Sequence, residues 1–436
     1  MRILHLSSYD ARGGAAIAAD LIHGGLVSAG IDSRMWVRRK HGHTSGVISS
    51  TRWSAQVIIR IRRRYELLRA RMAGWNRCGA FSPGVAGGSL RPVIRRFRPE
   101  IVHLHWICDG FVSVRALAEL DVPVVWTLHD MWPLTGGCHY AGSCRGFESK
   151  CGCCPLLGAR RVKDLSHIML RAKTEVFNQL ELVVVSPSRW LAREAARSMP
   201  LHRCDIHVVP NGIDTTRFHP RPARGARQAL GLPDSGILIV GGASRFRIDP
   251  RKGFDLFLRV IRELQARVQQ EIRVAVFGTG ARSEIDCDGL RVVELGGVED
   301  ATTLVSIYQA ADFFLAPSRE DNLPNTLLEA LACGVPCAGF NIGGFPDVIR
   351  DDQTGCLAAP FDTRDLACRI AEVIVRPDRL AEMRTRARAL AEAEFSIPVM
   401  IRGYTRIYEG LLEGRAGIGH SPGSCHGLAD SASVPS

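Results

Sequence analysis

Two carboxylates eight residues apart, a scarce lysine and a histidine behind a strand are the groups in this chain whose types and spacing suit chemistry. The carboxylates lie in Pro317-Ser-Arg-Glu-Asp-Asn-Leu-Pro-Asn-Thr-Leu-Leu-Glu-Ala-Leu-Ala-Cys-Gly-Val-Pro336. A strand ends near Ala316, and a polar loop holds Glu320, Asp321, Asn322 and Leu323. Pro324 opens a helix that contains Glu329, and Gly334 stops it. A helix start behind a strand end offers free N–H groups and a positive dipole end, which suit a phosphate. A carboxylate further along accepts hydrogen bonds from sugar hydroxyls; a capped helix with a solvated Glu329 fits the same local pattern. Lys252, in Arg251-Lys-Gly253, is one of five lysines against 51 arginines, so it is not background composition. Gly13-Gly14 behind a first strand lets backbone approach a diphosphate, and its spacing is not the G-x-G-x-x-G of a nicotinamide site. His129 follows a strand run, with Asp130 beside it either to orient it or to cap a turn. His103 and His105 end the run before and are weaker candidates. Gly343-Gly344 marks either a close approach to ligand or a turn.

The elements that must position these residues alternate throughout the 436 residues. Short β-branched runs at 2–7, 101–105, 122–127, 182–186, 236–241, 273–277, 291–295, 312–316 and 335–340 read as strands buried on both faces. Helical periodicity lies between them, as at 15–29. The pattern predicts an α/β protein of two doubly wound domains facing across a cleft, with ligands at the carboxyl ends of both sheets. The expected division is an N-terminal domain over 1–207, a C-terminal domain over 208–395, a helix over 396–414 packing back, and a disordered tail over 415–436.

Composition narrows the class. The net charge is +12, yet residues 51–98 hold twelve arginines and one acid, a balance of +11. A uniformly basic nucleic-acid coat is therefore excluded, and no interleaved aromatic platform or known module points to nucleic acid. Within that segment Trp53, Val57, Ile58, Ile61, Tyr65, Leu68 and Met72 recur at helical spacing among the arginines. This pattern fits an amphipathic helix on an anionic membrane surface, and equally a solvated face of a packed helix. No run reaches the roughly 18 apolar residues of a membrane span. The short N-terminal run reads as a strand and not a leader, which predicts a cytoplasmic chain. Cys138, Cys144, Cys151 and Cys154 form C-x5-C-x6-C-x2-C, with Cys153 and His139 among them. The spacing allows a structural zinc or a reduced, cysteine-rich loop.

The stretch 317–336 resembles the E-x7-E region of retaining GT-B glycosyltransferases of family 4. Gly13-Gly14-Ala15, Thr127-Leu-His-Asp130, Ser186-Pro-Ser-Arg-Trp190, Pro210-Asn-Gly-Ile-Asp214 with Phe218, Arg251-Lys-Gly253 and Phe277-Gly-Thr-Gly280 resemble further family segments, in the family's order. The resemblance implies the GT-B fold, an N-terminal domain on the acceptor side and a C-terminal domain that binds a nucleotide-sugar donor. It implies that Glu329 holds the ribose, and that Asp321, where the family has Glu, contacts the transferred sugar. Lys252 and an upstream arginine (Arg247, with Arg245 competing) would bind the diphosphate. His129 would contact the donor sugar, and Gly13, Gly14, Asn322, Leu323 and Pro324 would line the donor site. The implied reaction is retaining transfer of a hexose to a hydroxyl of a glycan or lipid-linked acceptor, as in exopolysaccharide or lipopolysaccharide synthesis. No cofactor is needed for catalysis, and the protein would sit peripherally on the inner face of the plasma membrane. Asp286-Cys-Asp288 looks like a metal motif of another glycosyltransferase fold and lies apart from these segments. A rival reading keeps the fold for a non-catalytic nucleotide-sugar-binding or membrane-docking protein.

Overall fold

The computed structural model describes residues 1–49, 53–76, 79–298 and 300–417. Most of the expected tail, from 418 on, and residues 51–52 and 77–78 of the basic segment lie outside the described residues. The first sheet contains β1 (Arg2–Tyr9), β2 (Asp32–Arg39), β3 (Val47–Ser49), β4 (Ile101–Leu104), β5 (Val124–Thr127), β6 (Leu182–Ser186) and β7 (Asp205–Val208). Its order is β3-β2-β1-β4-β5-β6-β7, with every pair parallel. The second contains β8 (Ile237–Gly242), β9 (Ile272–Phe277), β10 (Ser283–Cys287), β11 (Leu290–Glu294), β12 (Phe313–Ala316), β13 (Cys337–Phe340) and β14 (Gly355–Ala358). Its order is β10-β11-β9-β8-β12-β13-β14, and the β10–β11 hairpin alone is antiparallel among the described pairs. Asp286 closes that hairpin by accepting the Gly289 N–H at 2.6 Å, so the D-x-D sequence serves a turn.

In each sheet the strand order reverses beside the first strand, between β1 and β4 and between β8 and β12. Loops leave such a point in opposite directions, and the crevice they open holds ligands. The central strands are buried at every position, which is why they read as unbroken apolar runs. β2 was not legible because Asp, Ser and three arginines interrupt it; near the sheet edge it alternates buried and exposed residues instead.

The chain leaves the first domain after β7 and returns at Ser396, which bridges Ile213. The helix Ile397–Gly417 then buries Met400, Tyr404 and Tyr408 against Ile3, Ile22, Val125 and Val185 of the first domain. The helix Trp53–Met72 behaves differently. Glu66 and Ala70 face inward, while Ile58, Ile61, Tyr65, Leu68 and Met72 are 46, 60, 44, 53 and 75% exposed. Steps of three and four residues put these five on one stripe, flanked by exposed Arg60, Arg63, Arg64 and Arg71. Among the described residues, no helix is long and apolar enough to cross a membrane.

Candidate active site

A cavity of about 1450 Å³ opens between the sheets, walled by Trp106, Asp130 and Tyr140 on one side and Arg245, Arg251 and Glu320 on the other. The helix Trp53–Met72 adds Arg63 and Glu66 to its rim.

The loop behind β12 carries the most concentrated charge. Asp321 is 6% exposed. Its Oδ2 lies 2.5 Å from Lys252 Nζ and 3.2 Å from Arg251 Nη1, and the Tyr140 hydroxyl donates to its Oδ1 at 3.3 Å. Burial pushes this carboxyl up, but the two cations overcome burial and hold it down to about 2. The cations reach it because Asp249 caps the turn Pro250–Lys252 by accepting the Arg251 N–H at 3.0 Å. Arg251 also donates to the Glu320 carbonyl at 2.8 Å and stacks over Tyr140 at 4.3 Å. Glu320, the competing carboxylate, is turned away and accepts the Gly142 N–H at 3.1 Å. Gly343 and Gly344 press closely on backbone, and Gly343 also lines the cavity. A Cβ on Gly343 (φ +53°) would meet the Asp321 carbonyl at 2.0 Å, and one on Gly344 the Asn322 carbonyl at 1.7 Å. Only glycine lets that loop press on the Asp321 segment.

The helix Asn325–Ala332 begins directly after Pro324. Glu329 is buried on it, and its Oε2 accepts the Tyr308 hydroxyl at 2.7 Å. Burial raises this carboxyl to about 7 against the lowering effect of that hydrogen bond. Asn322 makes a different contact from the expected one: its side chain clasps the other domain. It accepts Ser188 Oγ–H at 2.6 Å and donates to the Leu128 carbonyl at 3.0 Å. Leu323 is buried in the apolar core of the second domain. Asn325 reaches across the cleft to the Gly14 carbonyl at 3.3 Å. Gly13 (φ +86°) starts the helix Gly14–Ser28 with open space where a side chain would stand, so a left-handed turn presents this helix end to the second domain.

Two expectations need correction, and one open alternative is decided. Arg247 donates to Glu294 at 2.9 Å, whereas Arg245 lines the cleft and Arg251 is the arginine on the carboxylate. Arg251, immediately before Lys252, carries no signal of its own among 51 arginines. Of the two roles open to Asp130 it takes the turn cap, accepting the Trp132 N–H at 2.8 Å, and it pairs with His139 Nδ1 at 2.6 Å. The cysteines are not gathered as a cage. A zinc tetrahedron with Zn–S bonds near 2.3 Å holds its sulfurs about 3.8 Å apart. Among the described residues the one group with three ligand atoms within 4.8 Å is His5, His103 and His105, not Cys138, Cys144, Cys151 and Cys154. Burial pushes the Cys138 and Cys151 thiols up to about 12 and 11. Lys173, fully buried, braces the same loop by donating to the Thr135 carbonyl at 2.8 Å and lying over the Trp132 ring at 3.7 Å.

His129 stands behind β5, half-buried. Its Nε2 meets His105 Nδ1 at 3.1 Å, and burial lowers its pKa to about 4, with Asp130 opposing. His5, absent from the sequence reading, lies beneath them: the β1–β4 register pairs it with His103.

Comparison with known proteins gives one answer for both halves. A model described as "Glycosyltransferase Family 4" matches residues 12–217, and one described as "Glycosyl transferases group 1" matches residues 235–375. The D-inositol 3-phosphate glycosyltransferase of Mycobacterium avium (strain 104) is 29% identical over 338 residues, covering 73% of this chain and 72% of that one. The sucrose-phosphate synthase structure from Thermosynechococcus elongatus superposes with a TM-score of 0.68 at 17% identity, covering 95% of this chain and 99% of that one. Anabaena Alr3699/HepE, solved in complex with UDP and glucose, superposes with a TM-score of 0.62 at 17% identity, covering 94% and 99%. With the two facing sheets, these matches establish that the chain belongs to the family 4 glycosyltransferases, enzymes of the GT-B fold.

Proposed function

We propose that this glycosyltransferase moves a hexose from a nucleotide-sugar to a hydroxyl of a glycan or lipid-linked acceptor, with retention at the anomeric carbon. The observation that carries the reading is the pairing of Lys252 and Arg251 at the carboxyl edge of the second sheet, facing a neutral histidine behind the first. Departure of a sugar from a diphosphate builds negative charge on the phosphates, and preorganised cations in a water-poor cleft stabilise that charge. A neutral imidazole suits the sugar, where positive charge grows. In this reading the incoming diphosphate takes over the cations from Asp321, which is then released toward the sugar. Glu329 accepts from the ribose hydroxyls. The bound UDP and glucose of the Anabaena structure support a nucleoside-diphosphate donor.

Retention is supported by the acids around the cavity, each of which is already engaged. Glu66 accepts the Gly84 N–H, Asp109 the Tyr9 hydroxyl, and Asp130 pairs with His139. Glu194 pairs with Arg145, Asp249 caps its turn and Glu320 accepts the Gly142 N–H. Among the described residues every carboxylate at the cavity wall has a partner, which fits a route in which the leaving phosphate takes the acceptor proton on the same face. A panel of UDP- and GDP-sugars scored by donor hydrolysis tests the activity, and the anomeric coupling constant of the product tests retention. Hydrolysis of none of them, or an inverted product, overturns the corresponding half.

The acceptor belongs to exopolysaccharide or lipopolysaccharide synthesis in this reading, at the inner face of the plasma membrane. The exposed apolar stripe of the helix Trp53–Met72, flanked by arginines at the cleft rim, supports that location. Liposomes rich in anionic lipid should bind the protein at low salt. Replacing Arg60, Arg64 and Arg71 by Glu should remove about 1 kcal/mol of affinity per residue. Equal binding by the variant would return this helix to a solvated role.

A further inference from the structure

The mechanism above uses His129 and leaves three fully buried histidines beneath it unexplained. His5, on β1, and His103 and His105, on or just after β4, are at most 2% exposed. His103 is fully occupied, with Nε2 on Thr127 Oγ1 at 2.7 Å and Nδ1 on the Tyr408 hydroxyl at 2.8 Å. The other two form a chain with the site: His5 Nδ1 meets His105 Nε2 at 2.9 Å, and His105 Nδ1 meets His129 Nε2 at 3.1 Å. The rings lie nearly parallel, at 17° and 27°. At the inner end, His5 Nε2 is buried with no partner. At the outer end, His129 Nδ1 has no protein partner among the described residues. A metal ion among His5, His103 and His105 would have to break these bonds and sit charged in an acid-free core, so the trio does not fit one.

All the rings are neutral near pH 7. Burial, reinforced by neighbouring histidines, drives His5, His103 and His105 well below the ordinary value. Each contact in a chain of neutral imidazoles needs one N–H and one lone pair, so one tautomer determines the next. Two arrangements satisfy both contacts. If the protons point inward, His5 Nε2 carries an N–H in an apolar pocket with nothing to receive it. If they point outward, His5 Nε2 holds only a lone pair. A buried donor without an acceptor is the rarer defect in folded proteins.

We infer that His5 and His105 lock His129 in the Nδ1–H tautomer, so that His129 presents a neutral N–H donor on the side away from His105. His105 is a positioning residue, and His5 sets the direction of the chain. The inference rests on the reading of His129 as a residue of the donor site. The lock explains how a histidine beside Asp130 keeps one hydrogen-bonding sense without charge. It also gives the site a donor for a sugar oxygen that does not add positive charge near the anomeric carbon.

The test is a long-range 15N–1H correlation spectrum of the histidine rings in the full-length protein at pH 7, with His129 assigned from its absence in His129→Gln. The expected result is a neutral ring protonated at Nδ1. His105→Phe should move that proton to Nε2 and lower kcat about tenfold, the loss of one hydrogen bond, with donor KM unchanged. His105→Gln, whose amide offers an N–H to His129 and a C=O to His5, should restore both. A wild-type ring protonated at Nε2 overturns the inference, and so does an unmoved tautomer in His105→Phe. The wild-type spectrum decides even if a variant misfolds. Failure of the underlying reading is separate: full turnover in His129→Gln, with the Nδ1–H signal present in the wild type, removes His129 from the donor site and leaves the lock standing.

Discussion

The two halves of the cleft solve opposite electrostatic problems with the same architecture. Behind β12 the second sheet presents a lysine and an arginine on one carboxylate. Behind β4 and β5 the first sheet presents imidazoles held neutral by burial. Both sites lie at the carboxyl ends of parallel strands beside a reversal of strand order, so the fold supplies the place and not the chemistry. The difference teaches where charge is wanted. In the proposed function a diphosphate leaving group is met by cations, and a sugar ring gaining positive character by donors and acceptors without charge.

Lys252→Ala is the strongest way to break this contrast. It should lower kcat/KM for the donor by about a hundredfold to a thousandfold, the effect of losing one preorganised charge-stabilising group. Lys252→Arg should not restore it, because a guanidinium fork does not reproduce a compact ammonium. A loss below tenfold, in steady-state kinetics on folded protein, would move the phosphate site elsewhere. Next in size is the stability held by Asp321. Its carboxyl is depressed in the folded state to about 2. It therefore stabilises the fold fully above the unfolded value near 4, and loses that contribution as pH falls toward 2. Urea titrations should find about 2 kcal/mol between wild type and Asp321→Asn at pH 7, shrinking below pH 4. A gap independent of pH would mean that the cations do not act on this carboxylate.

The neutral half should respond more mildly. His129→Ala should cost about tenfold in kcat. Because the ring titrates near 4, this ratio should stay flat from about pH 6 to 8. A ratio that changes with an apparent pKa near 6.5 would mean that His129 acts as a charged group and would erase the contrast. Glu329 gives the smallest and most diagnostic effect. Its carboxyl loses its proton near pH 7, so donor KM should fall as pH rises through 7, when a stronger acceptor meets the ribose. The change should be about fivefold, the difference between a charged and a neutral hydrogen bond. In Glu329→Gln the profile should be flat, and a wild-type slope that survives the substitution would belong to another group.

These contrasts were unevenly legible. The central strands of both sheets stand out because double burial makes them continuous apolar runs, while β2, β7 and β14 are too polar or too short to do so. Asp321, Lys252 and Glu329 stand out through the resemblance of their segments to family motifs, and one strand–loop–helix unit brings Asp321 and Glu329 to the same sheet edge. Arg251 and Tyr140 do not stand out. Arg251 is hidden among 51 arginines, and Tyr140 approaches Asp321 from 181 residues away. Arg247 satisfied the spacing, yet Glu294 at the end of β11 claims it. The thiols of Cys138, Cys144, Cys151 and Cys154 have ligand-like spacing, but Lys173 and apolar packing brace their loop. His5 carries no signal of its own, because it becomes part of the site only through the parallel register of β1 and β4.

The amino-acid sequence by itself determined the two-domain α/β architecture and the family, and it set Lys252, Asp321 and Glu329 in family-like segments. These depend on local periodicity and on motifs of a few residues, which the chain satisfies without long-range information. Tertiary structure alone decided how charge is distributed in the cleft: which arginine reaches Asp321, which acids are already engaged, and that His5, His105 and His129 are neutral and linked. Ionisation and hydrogen bonding depend on desolvation and on partners distant in sequence, and only the folded chain brings those together.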